Sequence, residues 1–325
     1  MSTLAKKNLL STAIVTTLLT PPGIASAETF FKLDNPHDLA FNQLLGVNDG
    51  RIIVGYYGDG VEVANVGYTL VPTDHYSIEF FSALPKPLTV TQLQAIGINN
   101  LTTPAIVGFV TDSNNNTHGF IDYQGIQAVV DDPKGVFPTN STQNLLGVND
   151  LGQAAGFYLD ANGNSHGFVV SFSFDLVNHK LTQQFSSVNY PGATATQASA
   201  INNEGVVYGF FIANGVSHGF LEKGGAFTPV DVKLAGVNVT GTTILGANNK
   251  GEFVGTYTAG SGNATTTHGF IYDGTTFLNV DAPGSSQTTV FTNVQGTTVN
   301  GINDAGDIVG FYSDGLYVDG FVIFK

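Results

Sequence analysis

An all-β, six-bladed β-propeller of four-stranded antiparallel blades is the fold this 325-residue chain predicts. Three observations lead there. A short motif recurs six times, as Gly46-Val47-Asn48-Asp49, Gly97-Ile98-Asn99-Asn100, Gly147-Val148-Asn149-Asp150, Ala200-Ile201-Asn202-Asn203, Gly246-Ala247-Asn248-Asn249 and Gly301-Ile302-Asn303-Asp304. Its asparagine falls at 48, 99, 149, 202, 248 and 303, a period near fifty that marks a propeller or related array. Each repeat reads as short apolar runs cut by Gly, Asn and Asp turn signals, with no helical periodicity of useful length. Finally, the last repeat stops one strand short, and residues 29–36 carry the missing pattern at the other end of the chain. A first strand that completes the last blade closes the ring and removes its open edge.

In chain order, the first segment reads as an export leader. Lys6 and Lys7 precede an apolar run at 9–19, and Ala25-Ser26-Ala27 is an A-x-A cleavage site before Glu28. The run is too short to span a bilayer. Cleavage near Ala27 leaves 28–325 as a single propeller domain, secreted or periplasmic.

The fifth repeat shows the strand pattern most clearly. Strand A is expected at 243–248, B at 252–257, C at 267–272 and D at 277–281, with turns at Asn249-Lys250-Gly251 and Asp273-Gly274. Strand C carries His-Gly-Phe at His118, His166, His218 and His268, with Val66-Gly67-Tyr68 and Asp319-Gly320-Phe321 as variants. Two C-to-D connections, 71–82 and 171–184, read as long loops. The glycine heading each repeat belongs where inner strands converge and a Cβ would crowd the axis. Ala200 is the smallest substitute.

Charge and cysteine usage narrow the functional classes. Removing the leader takes basic residues from 11 to 9 against 25 acidic ones, a net charge of −16. Such a surface repels nucleic-acid phosphates and anionic lipid, so neither nucleic acid nor membrane insertion is expected. The chain has no cysteine, which excludes thiol chemistry and disulfides.

The repeats resemble the bacterial extracellular HAF-repeat family, whose units read Gly-Ile-Asn-x-x-Gly-x-Ile-Val-Gly and then His-Ala-Phe. Here His118-Gly119-Phe120 and its equivalents place Gly where the family has Ala. The resemblance spans nearly all of 28–325. It implies export and a propeller-like β array, and no particular chemistry.

Candidate residues divide into repeated and unrepeated ones. One strand-C histidine per blade cannot converge on a single ion, so each reads as a hydrogen-bonded structural residue. Gly163-Asn164-Ser165-His166-Gly167 and Gly215-Val216-Ser217-His218-Gly219 match G-x-S-x-G, but no helix follows either, and a nucleophile elbow needs one. Asp112–Asn116 and Asp160–Asn164 begin like calcium loops. Their twelfth positions, Tyr123 and Ser171, lack the bidentate acid, so no cofactor is expected, with calcium on the loop oxygens as the alternative. The repeat asparagines read as Asx-turn formers.

Three residues before each head stand Gln43, Gln94, Asn144, Gln197, Thr243 and Thr298. This uncharged series is placed at one mouth of the axial channel, where it would bridge blades, hold water or bind a polyol or sugar. Arg51, the only arginine, stands where other repeats have glycine; its expected role is a surface ion pair, with a carboxylate ligand as the alternative. His37 and Asp38 sit in the closing loop, and Asp74, His75 and Tyr76 cluster in the connection 71–82. Alternating strand direction puts His37 and His75 on opposite faces, so they cannot act as one acid–base pair. These features favour a non-catalytic exported propeller that binds a neutral or glycan-like ligand or a protein partner. A hydrolase or lyase at the axial mouth would need a titratable cluster there, which the inner strands do not supply. A structural envelope or matrix protein would share the same sequence pattern.

Overall fold

The computed structural model describes residues 29–71, 79–80, 88–136, 140–175, 178, 180–261, 265–288 and 294–325. The leader and the Asp74, His75 and Tyr76 cluster lie outside them. The closing strand β1 spans Thr29–Lys32. Blade one holds β2 (Asn42–Val47), β3 (Ile53–Tyr57), β4 (Val66–Leu70) and β5 (Glu79–Phe80). Blade two holds β6 (Val90–Ile98), β7 (Ala105–Asp112), β8 (Thr117–Tyr123) and β9 (Ile126–Val130). Blade three holds β10 (Gln143–Val148), β11 (Gln153–Leu159), β12 (Ser165–Asp175) and β13 (Lys180–Val188). Blade four holds β14 (Ala195–Ile201), β15 (Val207–Ala213), β16 (Val216–Lys223) and β17 (Ala226–Val230). Blade five holds β18 (Val239–Ala247), β19 (Phe253–Ala259), β20 (Thr266–Tyr272) and β21 (Phe277–Val280). Blade six holds β22 (Thr297–Ile302), β23 (Ile308–Ser313) and β24 (Val318–Phe324), and β1 completes it.

Closure joins the two ends as expected, with Thr29 facing Phe324 and Lys32 facing Phe321 in an antiparallel pair. Every blade is a four-stranded antiparallel meander, and the six together form the ring. The core lies between blades. The aromatic of each strand-C motif (Tyr68, Phe120, Phe168, Phe220, Phe270 and Phe321) is fully buried. So is the apolar residue two before each head: Leu44, Ala95, Leu145, Ala198, Ile244 and Val299. Burying one phenylalanine ring contributes about 1.5–3 kcal/mol, so each blade is held by its neighbours as much as by its own ladder.

The head glycines sit where the sequence places them. A Cβ on Gly246 would lie 2.3 Å from the Asn300 carbonyl oxygen, and one on Gly147 2.8 Å from Ala200 Cα. Adjacent inner strands therefore touch backbone to backbone. One expectation fails: 171–184 is no loop, because β12 and β13 pair from Gly167↔Val188 out to Asp175↔Lys180. The alternation of Phe172, Phe174, Leu181 and Phe185 with polar residues is a period-two strand signal, and Phe174 stacks on Tyr123 of blade two at 5.3 Å.

Closure is fastened at both faces. At the A–B face Arg51 forks onto Asp307 of blade six, with Nε to Oδ2 at 2.8 Å and Nη2 to Oδ1 at 3.2 Å. Its guanidinium also lies 4.6 Å over the Phe324 ring. Asp307 is fully buried, which makes this more than the surface pair expected from sequence. Arg51 keeps the positive φ, 58°, that Gly152, Gly205, Gly251 and Gly306 have at the same turn position. At the opposite face Lys32 bridges Asp319 at 2.6 Å and Asp34 at 3.3 Å, and Asp34 accepts the Gly320 N–H. Burial, reinforced by repulsion from Asp319, pushes the Asp34 carboxyl up to about 6, although Lys32 pulls the other way.

Two outcomes follow from these fasteners. Arg51→Ala leaves a buried carboxylate short of its charged partner, and urea denaturation should show a loss of about 1–3 kcal/mol; Arg51→Lys should recover only part, since an ammonium cannot fork. Because folded Asp34 holds its proton more tightly than an unfolded aspartate, its contribution is greatest below the ordinary value of 3.8 and is lost as pH rises to about 6. Thermal melts of Asp34→Asn across that window should lose this downward slope, and a parallel slope in the variant would contradict the assignment.

Candidate axial binding site

Every strand A carries the same irregularity: its pairing with strand B slips by one residue just before the head, between Leu44 and Gly46, Ala95 and Gly97, Leu145 and Gly147, Ala198 and Ala200, Ile244 and Gly246, and Val299 and Gly301. A bulge inserts one residue that breaks the alternation of facing. The inserted residues (Leu45, Ile96, Leu146, Ser199, Leu245 and Asn300) line a cavity of about 240 Å³ on the axis. The heads and the residues after them complete the wall, with Gln43, Gln94 and Phe311.

The wall is largely apolar, with polar groups set unevenly around it. Gln43 Oε1 accepts from the Tyr56 hydroxyl at 2.9 Å, and its amide nitrogen has no partner among the described residues. Gln94 Nε2 donates to Asn65 Oδ1 of blade one at 3.1 Å, leaving its carbonyl oxygen as an open acceptor. Ser199 Oγ donates to the Ile244 carbonyl at 2.6 Å. The Asn300 amide has no hydrogen bond within the described chain, so it offers both a donor and an acceptor. Among the described residues this lining has no aspartate, glutamate, histidine or lysine, and burial holds the Tyr56 phenol above its ordinary value, as a neutral donor.

The six-residue polar series is therefore divided. Gln43 and Gln94 reach the cavity, whereas Asn144, Gln197, Thr243 and Thr298 are not among its lining residues. Thr243 instead meets Ser217 Oγ of blade four at 3.0 Å, a bridge between blades. Ser199 and Asn300, one residue before the head rather than three, are not among the candidates read from the sequence. Their signal was present: at the position before the head, four repeats carry Leu or Ile and two carry Ser or Asn.

Toward the A–B face the channel narrows to a polar space of about 50 Å³. Each repeat asparagine forms its turn by accepting a backbone N–H through Oδ1, as Asn48 does from Ile52 at 2.9 Å and Asn303 from Asp307 at 2.8 Å. The Nδ2 of Asn48, Asn99, Asn149, Asn248 and Asn303 also reaches the next blade, with Asn48 donating to the Asn99 carbonyl and Asn303 to that of Asn48. The following residues form an unbroken circle. The N–H of Asp49 donates to Asn100 Oδ1, Asn100 to Asp150, Asp150 to Asn203, Asn203 to Asn249, Asn249 to Asp304 and Asp304 back to Asp49, at 2.7–2.9 Å. Burial and the charges of Asp304 and Asp150 hold the Asp49 carboxyl above its ordinary value.

The remaining candidates have structural partners. His118, His218 and His268 bond through Nδ1 to Asp131, Asp231 and Asp281 at the ends of their strands D, at 2.7, 3.0 and 2.8 Å. His166 faces Asp160 at 3.3 Å, since the corresponding strand-D position is Asn189. Ser165 and Ser217 lie on β12 and β16, and Ser217 Oγ donates to the Thr242 carbonyl at 2.8 Å. Asp112 and Asp160 each accept two backbone N–H groups of their own turns through Oδ1. His37 is exposed and stacks on Tyr57 at 6.0 Å.

No family model matches the chain, and no curated protein matches it. Among solved structures it is similar to the fungal lectin of Aleuria aurantia, described as a six-bladed β-propeller with a novel fucose recognition mode. That likeness has 12% identity and a TM-score of 0.50, over 87% of this chain and 90% of the lectin. A variant of the same lectin in complex with Fucalpha1-6GlcNAc matches at 9% identity and a TM-score of 0.49, over 87% of this chain and 94% of that one. Trypanosoma rangeli sialidase matches at 8% identity and a TM-score of 0.48, over 93% of this chain but 60% of the sialidase. At these identities the likeness is one of fold: the chain is a six-bladed β-propeller.

Proposed function

We propose that the protein is an exported, non-catalytic propeller that binds one sugar unit, or a polyol of similar chemistry, in its axial cavity. The observation that carries this reading is the lining itself. Gln43, Gln94 and Asn300, each with a polar atom unbonded among the described residues, line the same space as Leu45, Ile96, Leu146, Leu245 and Phe311. Directed polar groups on an apolar wall suit a ligand with hydroxyls on its edge and C–H groups on its faces. At about 240 Å³ the space falls below the ~300–1,000 Å³ of pockets that hold drug-sized ligands, so it matches a single ring better than an oligosaccharide. Among the described residues the wall carries amides, a hydroxyl and apolar groups rather than the carboxylate pair that glycoside hydrolysis uses, which supports binding over turnover. The fucose recognition described for a lectin of the same fold makes neutral sugars the first class to examine.

A glycan array followed by titration calorimetry tests the proposal. Asn300→Leu and Gln94→Leu should each weaken the best-bound sugar by about tenfold, the usual size of one directed hydrogen bond to a neutral ligand. Unchanged affinity in both variants, or turnover of the bound sugar, would overturn it.

A further inference from the structure

Five of the exposed large apolar side chains stand on three loops of one face. Leu39, 58% exposed, precedes strand A of blade one; Val61 at 77% and Val63 at 41% lie in the hairpin between β3 and β4; Leu316 at 72% and Tyr317 at 46% lie in the hairpin between β23 and β24. Backbone bonds stitch these loops together. The Val318 N–H donates to the Ala40 carbonyl at 3.0 Å, and the Gly58 N–H to that of Phe41 at 3.2 Å.

Each loop is also stiffened by its own aspartate. Asp59 Oδ1 accepts the N–H groups of Val61, Glu62 and Val63, Asp314 Oδ1 those of Leu316 and Tyr317, and Asp38 Oδ1 that of Ala40. The apolar groups are thus displayed on a surface that is ordered in advance, which lowers the entropy lost on binding. Asp38, Asp59, Glu62 and Asp314 stand on the same loops, which carry no lysine or arginine, and the nearby Lys32 is paired with Asp34 and Asp319. Contiguous exposed apolar groups with a polar rim mark interaction surfaces.

We propose that this face, at the seam of blades one and six, docks a polypeptide segment that carries lysine or arginine beside apolar side chains. Charge complementarity selects that partner. A second copy would bring acid against acid, and an anionic lipid surface would be repelled. The surface lies apart from the residues of the axial wall, so this partner is independent of the sugar reading.

Fluorescence anisotropy with three labelled peptides of equal length tests the proposal: alternating Lys-Leu, alternating Lys-Ser and alternating Glu-Leu. The Lys-Leu peptide should bind tightest and weaken as salt rises. Leu316→Ser should weaken it about tenfold, as loss of an interface anchor does. Val61→Ser and Glu62→Lys should weaken it as well, while Leu151→Ser on the opposite face should leave it unchanged, all with melting temperatures equal to the parent's. Equal binding of Lys-Leu and Lys-Ser would overturn the proposal by reducing the effect to bulk charge. So would insensitivity to all three surface changes, a dimer that Leu316→Ser dissolves, or capture by anionic vesicles through this face.

Discussion

Six inner strands must meet around one axis with no room for side chains between their backbones, and the rest of the molecule accommodates that crowding. A Cβ on Gly246 would stand 2.3 Å from the next blade's carbonyl oxygen, so the head of the repeat is glycine or, once, alanine. The same closeness lets each A–B turn hydrogen-bond to its neighbour. The circle from Asp49 through Asn100, Asp150, Asn203 and Asn249 to Asp304 and back has no end residue left unpaired. Such a circle holds only while all six blades keep their angle, so ring size and turn chemistry specify one another.

The repeated features were legible in the sequence because each is imposed by local chemistry that recurs. Glycine at 46, 97, 147, 246 and 301, asparagine two residues later, and the strand-C aromatic all answer the same steric or hydrogen-bonding demand in every blade. Closure by residues 29–36 was legible for the same reason, as a pattern missing at one end and found at the other. What stayed hidden depends on breaks in pattern or on distant partners. The bulge before each head, which sets Ser199 and Asn300 on the axial wall, is marked by no single residue type in the sequence. Arg51 gave no hint that its partner was Asp307, 256 residues away. Phe172, Phe174 and Leu181 alternated as a strand does, yet their place in a C–D connection disguised them as loop.

The candidate site illustrates how a symmetric scaffold acquires direction. Four blades contribute Leu or Ile at the bulge and two, on either side of blade five, contribute Ser199 and Asn300, so the cavity wall is uneven although the backbone is nearly sixfold. Tyr56 and Asn65 hold the amides of Gln43 and Gln94 in defined orientations, which preserves that direction in the unliganded protein. The structural histidines reinforce the division of labour. Paired with Asp131, Asp231 and Asp281, they tie strand C to the end of strand D and take no part in the cavity lining.

The pairing of β1 with β24 has a consequence for how the molecule is made. Thr29 pairs with Phe324, so the earliest described strand waits for the latest one before its backbone is satisfied. Until then it is a bare ribbon of Thr-Phe-Phe-Lys, with backbone groups ready to pair with any passing chain. Contacts of such long sequence separation form slowly, and intermediates that await them are prone to clump. Five blades can assemble as the chain lengthens; the sixth is a rendezvous, and a chaperone that shelters the leading strand would govern the yield.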